Sequence, residues 1–293
     1  MVSALEKILI KFMGALFRAL PLKGAQYIGR KLGSLAYILG YRRRRLAMRN
    51  LEMALGDKFG PGDLREIAKS SFEHLGMNLA EFFKFPQLSQ GLISQITTFA
   101  GQEYLEEALR GGRGVFLLSA HIGNWDLLGI ALALRGYPVA LITKLSKSEA
   151  VNRIWMKYRA DRGIKVLWGR GIMKESLNHL REGGIVGFVL DQNARRSEGV
   201  FVPFFGKEAC TLTSLALLAR RTGAPVIPLH IYRSGEEHHV VIEQPLSYKA
   251  HPDQDIDIIE RTKVYAAWTE KVIRQHPDQW TWLHNRWKTR PRP

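Results

Sequence analysis

A histidine and an aspartate stand five positions apart, at residues 121 and 126, shortly after a short apolar run. The run covers residues 115–118 and follows three closely spaced glycines, which is typical of a strand buried on both faces of a parallel sheet. Polar residues that follow such a strand lie at the carboxyl edge of the sheet, where open α/β folds bind their ligands. We therefore expect His121 and Asp126 to lie beside a binding crevice.

The chemistry that this pair could perform is general-base catalysis. A histidine with a pKa near the usual value of about 6.5 can take a proton from a hydroxyl group at neutral pH. A carboxylate on its other ring nitrogen fixes the tautomer and stabilises the imidazolium that forms. We predict His121 as the base and Asp126 as its partner, with Gly123 leaving room for a ligand. The spacing alone leaves open a structural histidine beside an acid that suits a helix N-terminus.

Further candidates for substrate binding stand near the ends of other predicted strands. Asp191, Gln192 and Arg195 follow the apolar run 185–190, and the aromatic stretch 199–206 comes directly after them. We predict that these polar groups bind a phosphate or polar head group. Phe204 and its aromatic neighbours would line an apolar slot. The alternative is a polar loop with ordinary aromatic packing.

Three basic residues and one amide complete the set of candidates. Lys144, Lys147 and Arg153 follow the predicted strand 139–143 and would add positive charge to the rim of the crevice. A solvated helix face explains these cations equally well. Asn124 lies between His121 and Asp126 and is predicted to contact substrate.

Strands and helices alternate from residue 100 onward. Strands are predicted at residues 115–118, 139–143, 164–167, 185–190, 226–232 and 239–243. Helices are predicted at residues 103–110, 125–135, 148–162, 173–181, 211–222 and 255–276. This alternation predicts an α/β fold with a mixed, largely parallel sheet flanked by helices. We assign residues 1–99 to a membrane-associated helical segment and residues 100–293 to the α/β core.

Composition narrows the class of protein. With 293 residues, 46% hydrophobic and 10% aromatic, the chain can bury a full core and is not disordered. The single cysteine, Cys210, excludes an internal disulfide and fits a reducing compartment. The formal net charge of +16 favours a partner that carries phosphate or acidic groups.

The excess positive charge is concentrated near the N-terminus. Residues 1–50 contain eleven basic residues and one acid, Glu6, and residues 42–45 are four consecutive arginines. Around these cations lie apolar stripes, of which one contains Leu9, Phe12, Met13, Leu16, Phe17 and Leu20. This pattern is typical of helices that lie in the interface of an anionic membrane, and no uncharged run is long enough to span a bilayer. The alternative is a packed helical lid with a solvated basic face.

Several other classes of site are disfavoured. The sequence has no helix-turn-helix, zinc knuckle or RNP-type strand, so nucleic acid is not an expected partner. It has no Gly-x-Ser-x-Gly elbow, and strand alternation favours a structural Ser119 over a nucleophile. Cys210 has no basic neighbour and is predicted to be buried. No Cys/His spacing indicates a metal site, and we expect no cofactor.

The motifs taken together resemble a known family. They are HIGNWD at 121–126, DQ at 191–192, GVFVPFFG at 199–206, TGAPVIP at 222–228 and HPDQWTWLH at 276–284. Their order and spacing are similar to those of the late acyltransferases of lipid A biosynthesis, of the lauroyl and myristoyl type, within the lysophospholipid acyltransferase superfamily. The resemblance extends over nearly the whole chain.

This resemblance implies transfer of a fatty acyl group from an acyl carrier protein thioester to a hydroxyl of a lipid A precursor, at the cytoplasmic face of the bacterial inner membrane. It implies that His121 is the general base with Asp126 as its partner, and that Asp191 lies near the cleft. The expected partners are acyl carrier protein and an anionic lipid or lipid A precursor, and the sequence gives no indication of oligomeric state.

The chain departs from the family pattern in two places. Lipid A members often carry Glu at the position of Asp126, and many have an uninterrupted N-terminal span where this chain has Lys11 and Arg18. The Phe-Pro-Glu-Gly-Thr motif of glycerol-phosphate acyltransferases is absent. Two alternatives therefore stay open: an acyl-CoA-dependent enzyme acting on another lipid or glycolipid, and a non-catalytic protein that binds anionic lipid.

Overall fold

A computed structural model describes residues 4–146 and 148–291 of the chain, apart from the side chains of residues 4, 5 and 7. The helices are α1 Ala4–Ala19, α2 Leu22–Leu39, α3 Tyr41–Leu55, α4 Pro61–Lys84, α5 Gln90–Ile96, α6 Gln102–Arg110, α7 Trp125–Leu134, α8 Glu149–Ala160, α9 Ile172–Arg181, α10 Ser214–Thr222 and α11 Gln254–Gln275. The strands are β1 Thr97–Ala100, β2 Val115–Ser119, β3 Val139–Ile142, β4 Lys165–Leu167, β5 Ile185–Val189, β6 Gly199–Phe204, β7 Lys207–Leu212, β8 Val226–Ser234 and β9 Glu237–Ile242.

Seven strands form one sheet in the order β1-β9-β8-β2-β5-β3-β4. The five strands from β8 to β4 run parallel to one another, whereas β9 is antiparallel to β8 and β1 is parallel to β9. All six predicted strands are present, and the prediction of a mixed, largely parallel sheet is confirmed. The carboxyl ends of β2, β5 and β3 are neighbours, because parallel strands finish at the same edge of a sheet.

Helices cover both faces of this sheet. On one face, α10, α11 and the even-numbered residues of β2 form a core that includes Phe116, Leu118 and Trp268. On the other face, α5, α6 and α7 pack against the odd-numbered residues of β2, such as Val115 and Leu117. Every residue of β2 is buried, which explains its continuous apolar sequence.

Three strands, β1, β6 and β7, were not predicted from the sequence, and α10 begins later than predicted. The aromatic stretch after residue 198 is β6, which pairs with β7 as an antiparallel hairpin instead of lining a slot. The hairpin includes residues 211 and 212, so α10 begins at Ser214. Strand β1 spans residues 97–100, and the predicted division between residues 99 and 100 falls within it.

The N-terminal helices are held against α4 by close backbone contact. A Cβ atom on Gly29 of α2 would lie 2.5 Å from the carbonyl oxygen of Gly76 in α4, so only glycine permits this approach. In α1, Phe17 is fully buried and stacks on Phe83 of α4, whereas Phe12 is 63% exposed. The predicted apolar stripe of α1 therefore divides between a face that packs on the protein and a face that is exposed.

Within the described ranges, no helix is both long enough and apolar enough to span a bilayer. After α11, residues 276–291 form a short 3-10 helix, Pro277–Gln279, and then irregular structure that passes the carboxyl ends of the central strands. One isolated bridge joins Ile122 to Trp280 in this segment. The segment thereby forms part of the wall around the residues that follow β2 and β5.

Candidate active site

A cavity of about 540 Å³ opens at the carboxyl edge of the sheet. Its inner wall is apolar and comes from β2, β3, β5, β8 and α7. The side chains of this wall include Leu117, Leu128, Leu132, Val139 and Leu141. Polar and charged groups line the remainder, among them His121, Gln192, Thr143, Lys144 and Arg159. The cavity therefore has an apolar wall for a hydrocarbon chain and polar groups for a reacting or charged group.

His121 follows β2 and lines this cavity, with 23% of its side chain exposed. Its Nδ1 lies 2.8 Å from Oδ1 of Asp191, which comes two residues after the end of the neighbouring strand β5. The backbone N–H of His121 donates to Oδ2 of the same carboxylate at 2.9 Å. When Nδ1 carries the proton, Nε2 of the neutral ring is left as the hydrogen-bond acceptor, which is the state of a general base.

Asp191 is held in place by a third donor. Trp280, from the C-terminal segment, donates from Nε1 to Oδ2 of Asp191 at 2.6 Å. Both residues are 1% exposed, so the carboxylate lies in a dry environment with its oxygens satisfied. This is the orienting group that a catalytic histidine requires.

The electrostatics of the pair favour a charged carboxylate and a more basic imidazole. Burial alone would raise the pKa of Asp191, but His121 and the hydrogen bonds from His121 and Trp280 lower it to about 2. Burial, the largest single influence, would lower the pKa of His121, but the charge and hydrogen bond of Asp191, together with the charge of Asp126, raise that pKa above its ordinary value. The pair thus strengthens His121 as a base.

The predicted contact between His121 and Asp126 is wrong. Asp126 accepts hydrogen bonds from Nε and Nη2 of Arg159, and Nε1 of Trp155 donates to it at 3.1 Å. Both members of the Asp126–Arg159 pair are about 9% exposed. Asp126 lies in the first turn of α7 and points to α8, which supplies Arg159 and Trp155, whereas the ring of His121 turns toward β5. Arg159 also donates to Oγ1 of Thr143 at 2.6 Å and thereby presents a guanidinium to the cavity.

The loop at residues 120–124, which joins β2 to α7, is fixed by a buried polar network. Oδ1 of Asn124 caps α7 by accepting from the N–H of Leu127, and its Nδ2 donates to Glu81 at 2.6 Å. Glu81 also accepts from Arg233, which lies behind the loop. Asn124 is thus buried and has a structural role. It is not among the residues that line the cavity, so the structure does not support the predicted contact with substrate.

Gly123 permits the tight course of the loop. Its φ of +56° is in the left-handed region, and a Cβ there would lie 2.1 Å from the carbonyl oxygen of Ile231. The loop therefore packs directly on the backbone of β8, which fixes the position of His121.

The other predicted binding residues divide into two groups. Gln192 and Lys144 line the cavity, and Nε2 of Gln192 lies 3.4 Å from each nitrogen of His121. Arg153 and Arg195 are exposed, pair with Glu149 and Glu198, and are not among the lining residues. Lys147 lies outside the described residues.

Phe204 is a further correction. It is fully buried in an aromatic core with Phe205, Trp280 and Trp287, and the guanidinium of Arg286 lies 4.7 Å from its ring centroid. Strand β6 turns this side chain toward the core because the hairpin places alternate residues on opposite faces. Phe204 does not line the cavity.

Sequence reasoning missed Arg159, Trp155, Trp280 and Glu81. Arg159 and Trp155 lie in α8, which the sequence predicted as a helix without any signal for the face that meets Asp126. Trp280 lies within the motif 276–284, which carries part of the family resemblance but gives no indication of a contact with Asp191. Glu81 had one available signal, an acid set among apolar residues within the helical segment predicted for residues 1–99.

Neither a thiol nucleophile nor a metal centre emerges from the described residues. Cys210 is buried, and burial raises the pKa of its thiol, which disfavours the thiolate. In the part of the chain that the structure describes, no group of three or more His, Cys, Asp or Glu side chains could hold a metal ion.

Comparison with known proteins connects this site to a family. Residues 3–289 match the sequence model of the family described as bacterial lipid A biosynthesis acyltransferase. The chain is 27% identical over 281 residues to the lipid A biosynthesis lauroyltransferase of Escherichia coli, covering 93% of this chain and 88% of that protein. It is 25% identical over 275 residues to the palmitoleoyltransferase of the same organism, covering 93% and 87%.

Two further similarities extend beyond lipid A enzymes. A phosphatidylinositol mannoside acyltransferase of Mycolicibacterium smegmatis is 26% identical over 250 residues, covering 82% of this chain and 78% of that protein. The crystal structure of the 1-acyl-sn-glycerophosphate acyltransferase from Thermotoga maritima aligns with a TM-score of 0.42 and 15% identity, covering 87% of this chain and 99% of that one.

The sequence relatives and the family match identify the class of protein as an acyltransferase of the lysophospholipid acyltransferase superfamily. Within that class, the chain belongs to the bacterial lipid A biosynthesis acyltransferase family, because the family model matches nearly its full length. The resemblance noted in the sequence is thereby confirmed.

Proposed function

We propose that this protein is a membrane-associated O-acyltransferase that moves a fatty acyl chain from an acyl carrier protein thioester to a hydroxyl of a lipid A precursor. His121 is the general base in this proposal, and Asp191, in place of Asp126, is the carboxylate that orients it. The observation that carries the proposal is the His121–Asp191 hydrogen bond of 2.8 Å beside a cavity with an apolar wall.

The reaction needs little from the protein because a thioester is already activated. Nε2 of His121 takes the proton of the acceptor hydroxyl while its oxygen attacks the thioester carbonyl carbon. The C–O bond forms, the C–S bond breaks, and the imidazolium returns its proton to the leaving thiolate. The guanidinium of Arg159, held by Asp126, favours the negative charge that develops on the carbonyl oxygen.

The apolar wall of the cavity supports binding of the acyl chain. Leu117, Leu132 and Leu141 provide hydrocarbon contacts, while Gly129 and Gly187 leave space between them. Burial of each methylene of the chain contributes roughly 0.8 kcal/mol. Lys144 adds a cation beside the opening, which suits a phosphate-bearing donor or acceptor.

The exposed residues of the N-terminal helices support attachment to a membrane, which in this proposal is the inner membrane at its cytoplasmic face. Ile8, Leu9 and Phe12 of α1 and Leu39 of α2 are between 57% and 72% exposed. The arginine run at residues 42–45 follows directly on Leu39 and Tyr41. Each basic group near an anionic membrane surface contributes about 1 kcal/mol, and the apolar side chains add an insertion energy that salt does not screen.

The direct test is transfer of a labelled acyl group by the purified protein. Acyl carrier protein thioesters and acyl-CoA are offered separately, each with lipid A precursor and with mannosylated phosphoinositide in mixed micelles. Mass spectrometry of the lipid product identifies donor and acceptor. Transfer from acyl carrier protein to the lipid A precursor, lost in His121→Ala, is the expected result.

A second function is favoured by one specific similarity. The relative from Mycolicibacterium smegmatis acylates a phosphatidylinositol mannoside, as its name states, and matches 82% of this chain. An acyl-CoA-dependent transfer to such a lipid in the same assay would replace the first proposal. Lipid binding without consumption of any donor would indicate the non-catalytic alternative.

A further inference from the structure

Ser119 is the last residue of β2 and lines the same cavity as His121. Leu117, Ser119 and His121 are alternate residues of the chain, and all three line the cavity. Successive residues on one face of a strand are about 6.6 Å apart. Ser119 therefore lies between the apolar wall at Leu117 and the base at His121.

The hydroxyl of Ser119 has no hydrogen-bond partner among the described residues. The residue is only 8% exposed, and its oxygen is shielded from solvent. Most buried side-chain hydroxyls in proteins have a partner, because an unpaired one loses its bonds to water without compensation. The unpaired hydroxyl of Ser119 is therefore a polar group that a ligand in the cavity could satisfy.

The position of this hydroxyl suits one atom of the substrate. This step rests on the proposed function, in which the hydrocarbon chain contacts Leu117 and the acceptor hydroxyl contacts His121. The acyl carbonyl then lies between these two ends, at the level of Ser119. A serine hydroxyl turns about a single bond, so it can direct its proton to a carbonyl oxygen that enters the cavity.

We infer that Ser119 is a catalytic residue that donates a hydrogen bond to the carbonyl oxygen of the transferred acyl group. The donation strengthens as the acceptor oxygen attacks and the carbonyl oxygen gains negative charge, and it weakens when the C–S bond breaks and the ester carbonyl forms again. Ser119 keeps its own proton throughout, and His121 carries the proton from acceptor to leaving thiolate. Loss of one such donor lowers kcat on the order of 10²-fold.

The test compares two serines that differ in location. Ser176 of α9 is fully buried and its hydroxyl is also unpaired among the described residues, but it does not line the cavity. Ser119→Ala and Ser176→Ala should both keep or raise Tm, because each removes an unpaired buried hydroxyl. Only Ser119→Ala should lose kcat, by about 10²-fold.

Two results would overturn the inference. One is a kcat of Ser119→Ala equal to that of the wild-type protein. The other is a fall in Tm in Ser119→Ala that is absent in Ser176→Ala, because this would show that the hydroxyl has a structural partner.

A binding experiment gives a readout that does not depend on turnover. A long-chain alkyl trifluoromethyl ketone forms a tetrahedral hydrate that resembles the tetrahedral intermediate of acyl transfer, and the methyl ketone of equal length serves as control. By calorimetry, Ser119→Ala should weaken binding of the fluorinated ketone about 10-fold or more and weaken binding of the methyl ketone less, because its uncharged carbonyl oxygen accepts a weaker hydrogen bond. Equal weakening of both would overturn the inference. If the wild-type protein transfers no acyl group from any donor, the proposed function fails, whereas unchanged catalysis and ketone binding in Ser119→Ala would remove only the role of Ser119.

Discussion

His121 and Asp191 are separated by 70 residues of sequence and joined by a hydrogen bond of 2.8 Å across two neighbouring parallel strands. The same carboxylate also accepts the backbone N–H of His121, so the position of the ring and its tautomer are fixed together. Asp126, five residues from His121, is instead paired with Arg159. The two aspartates therefore have different expected roles.

Asp191→Asn should lower kcat on the order of 10³-fold or more, because the amide neither stabilises the imidazolium nor enforces a proton on Nδ1. His121→Ala should abolish acyl transfer while folding, followed by circular dichroism, and liposome binding are kept. Steady-state rates with saturating donor provide the measurement. Wild-type rates in either variant would exclude this pair as the catalytic base and its partner.

The pH dependence of kcat/KM should reflect the raised pKa of His121. Because only the neutral ring accepts a proton, activity should fall as the pH drops through a pKa above about 6.5. In Asp191→Asn this acidic limb should move to lower pH, because burial lowers the pKa of His121 once the carboxylate charge is removed. Identical limbs in the two proteins would contradict the coupling.

The same pair should make the stability of the protein depend on pH. The pKa of Asp191 is lowered on folding, so its contribution is present above its unfolded value of about 3.9 and is lost as the pH falls toward about 2. The pKa of His121 is raised, so its contribution is present below about 6.5 and is lost as the pH rises through the folded value. The difference in free energy of unfolding between wild type and Asp191→Asn should therefore be largest between about pH 4 and 6.5. Urea titrations at several pH values measure this difference, and one that is constant across pH would oppose the argument.

The main expected effect of Asp126→Asn is a lower free energy of unfolding. The change leaves Arg159 nearly buried without its counter-charge, which typically costs about 3–5 kcal/mol of unfolding free energy. Replacement of both partners by apolar residues, as in Asp126→Leu with Arg159→Met, should recover most of that loss but not activity. Urea unfolding of the single and double variants checks this, and an Asp126→Asn protein of full stability would refute it.

Gly129 of α7 lines the cavity, and a larger side chain there should shorten the acyl chain that the enzyme accepts. A Cβ at this position already lies 3.0 Å from a methyl group of Leu141, so Gly129→Leu would occupy space that the chain needs. The ratio of kcat/KM for long and short acyl donors should fall about 10-fold or more, since several methylenes lose their contacts. Competition between labelled donors measures this ratio within one sample, and an unchanged ratio would place the acyl chain elsewhere.

Phe12→Glu should weaken liposome binding, because Phe12 is 63% exposed on α1 and would insert among lipid chains. Ile256→Glu is a matched control, since Ile256 is 44% exposed on α11, away from the N-terminal helices. Co-sedimentation with anionic vesicles at low and high salt checks both variants. High salt should release the wild-type protein only in part, and complete release by salt alone would show that charge without insertion accounts for binding.

Much of the sheet could be predicted from the sequence. The continuous apolar run in β2 and β5 indicates strands buried on both faces, and such strands are parallel and end at one edge. That rule predicts that His121, Asp191 and Gln192 lie in one crevice, and the structure places all three there. The hairpin β6–β7 was missed because its aromatic residues fit a cavity lining as well as a core, and only the pairing decides which face Phe204 takes.

The sequence by itself determined which polar residues follow the buried strands: a histidine after one, and a carboxylate and an amide after another. It also determined a basic N-terminal region with apolar stripes. It also carried the family motifs. Only the tertiary structure decided which carboxylate meets the imidazole, because a hydrogen bond depends on side-chain direction and strand neighbourhood, not on distance along the chain. Asp126 lies nearer in sequence, but helix α8 brings Arg159 to it, and Trp280 from the C-terminal segment holds Asp191 against His121.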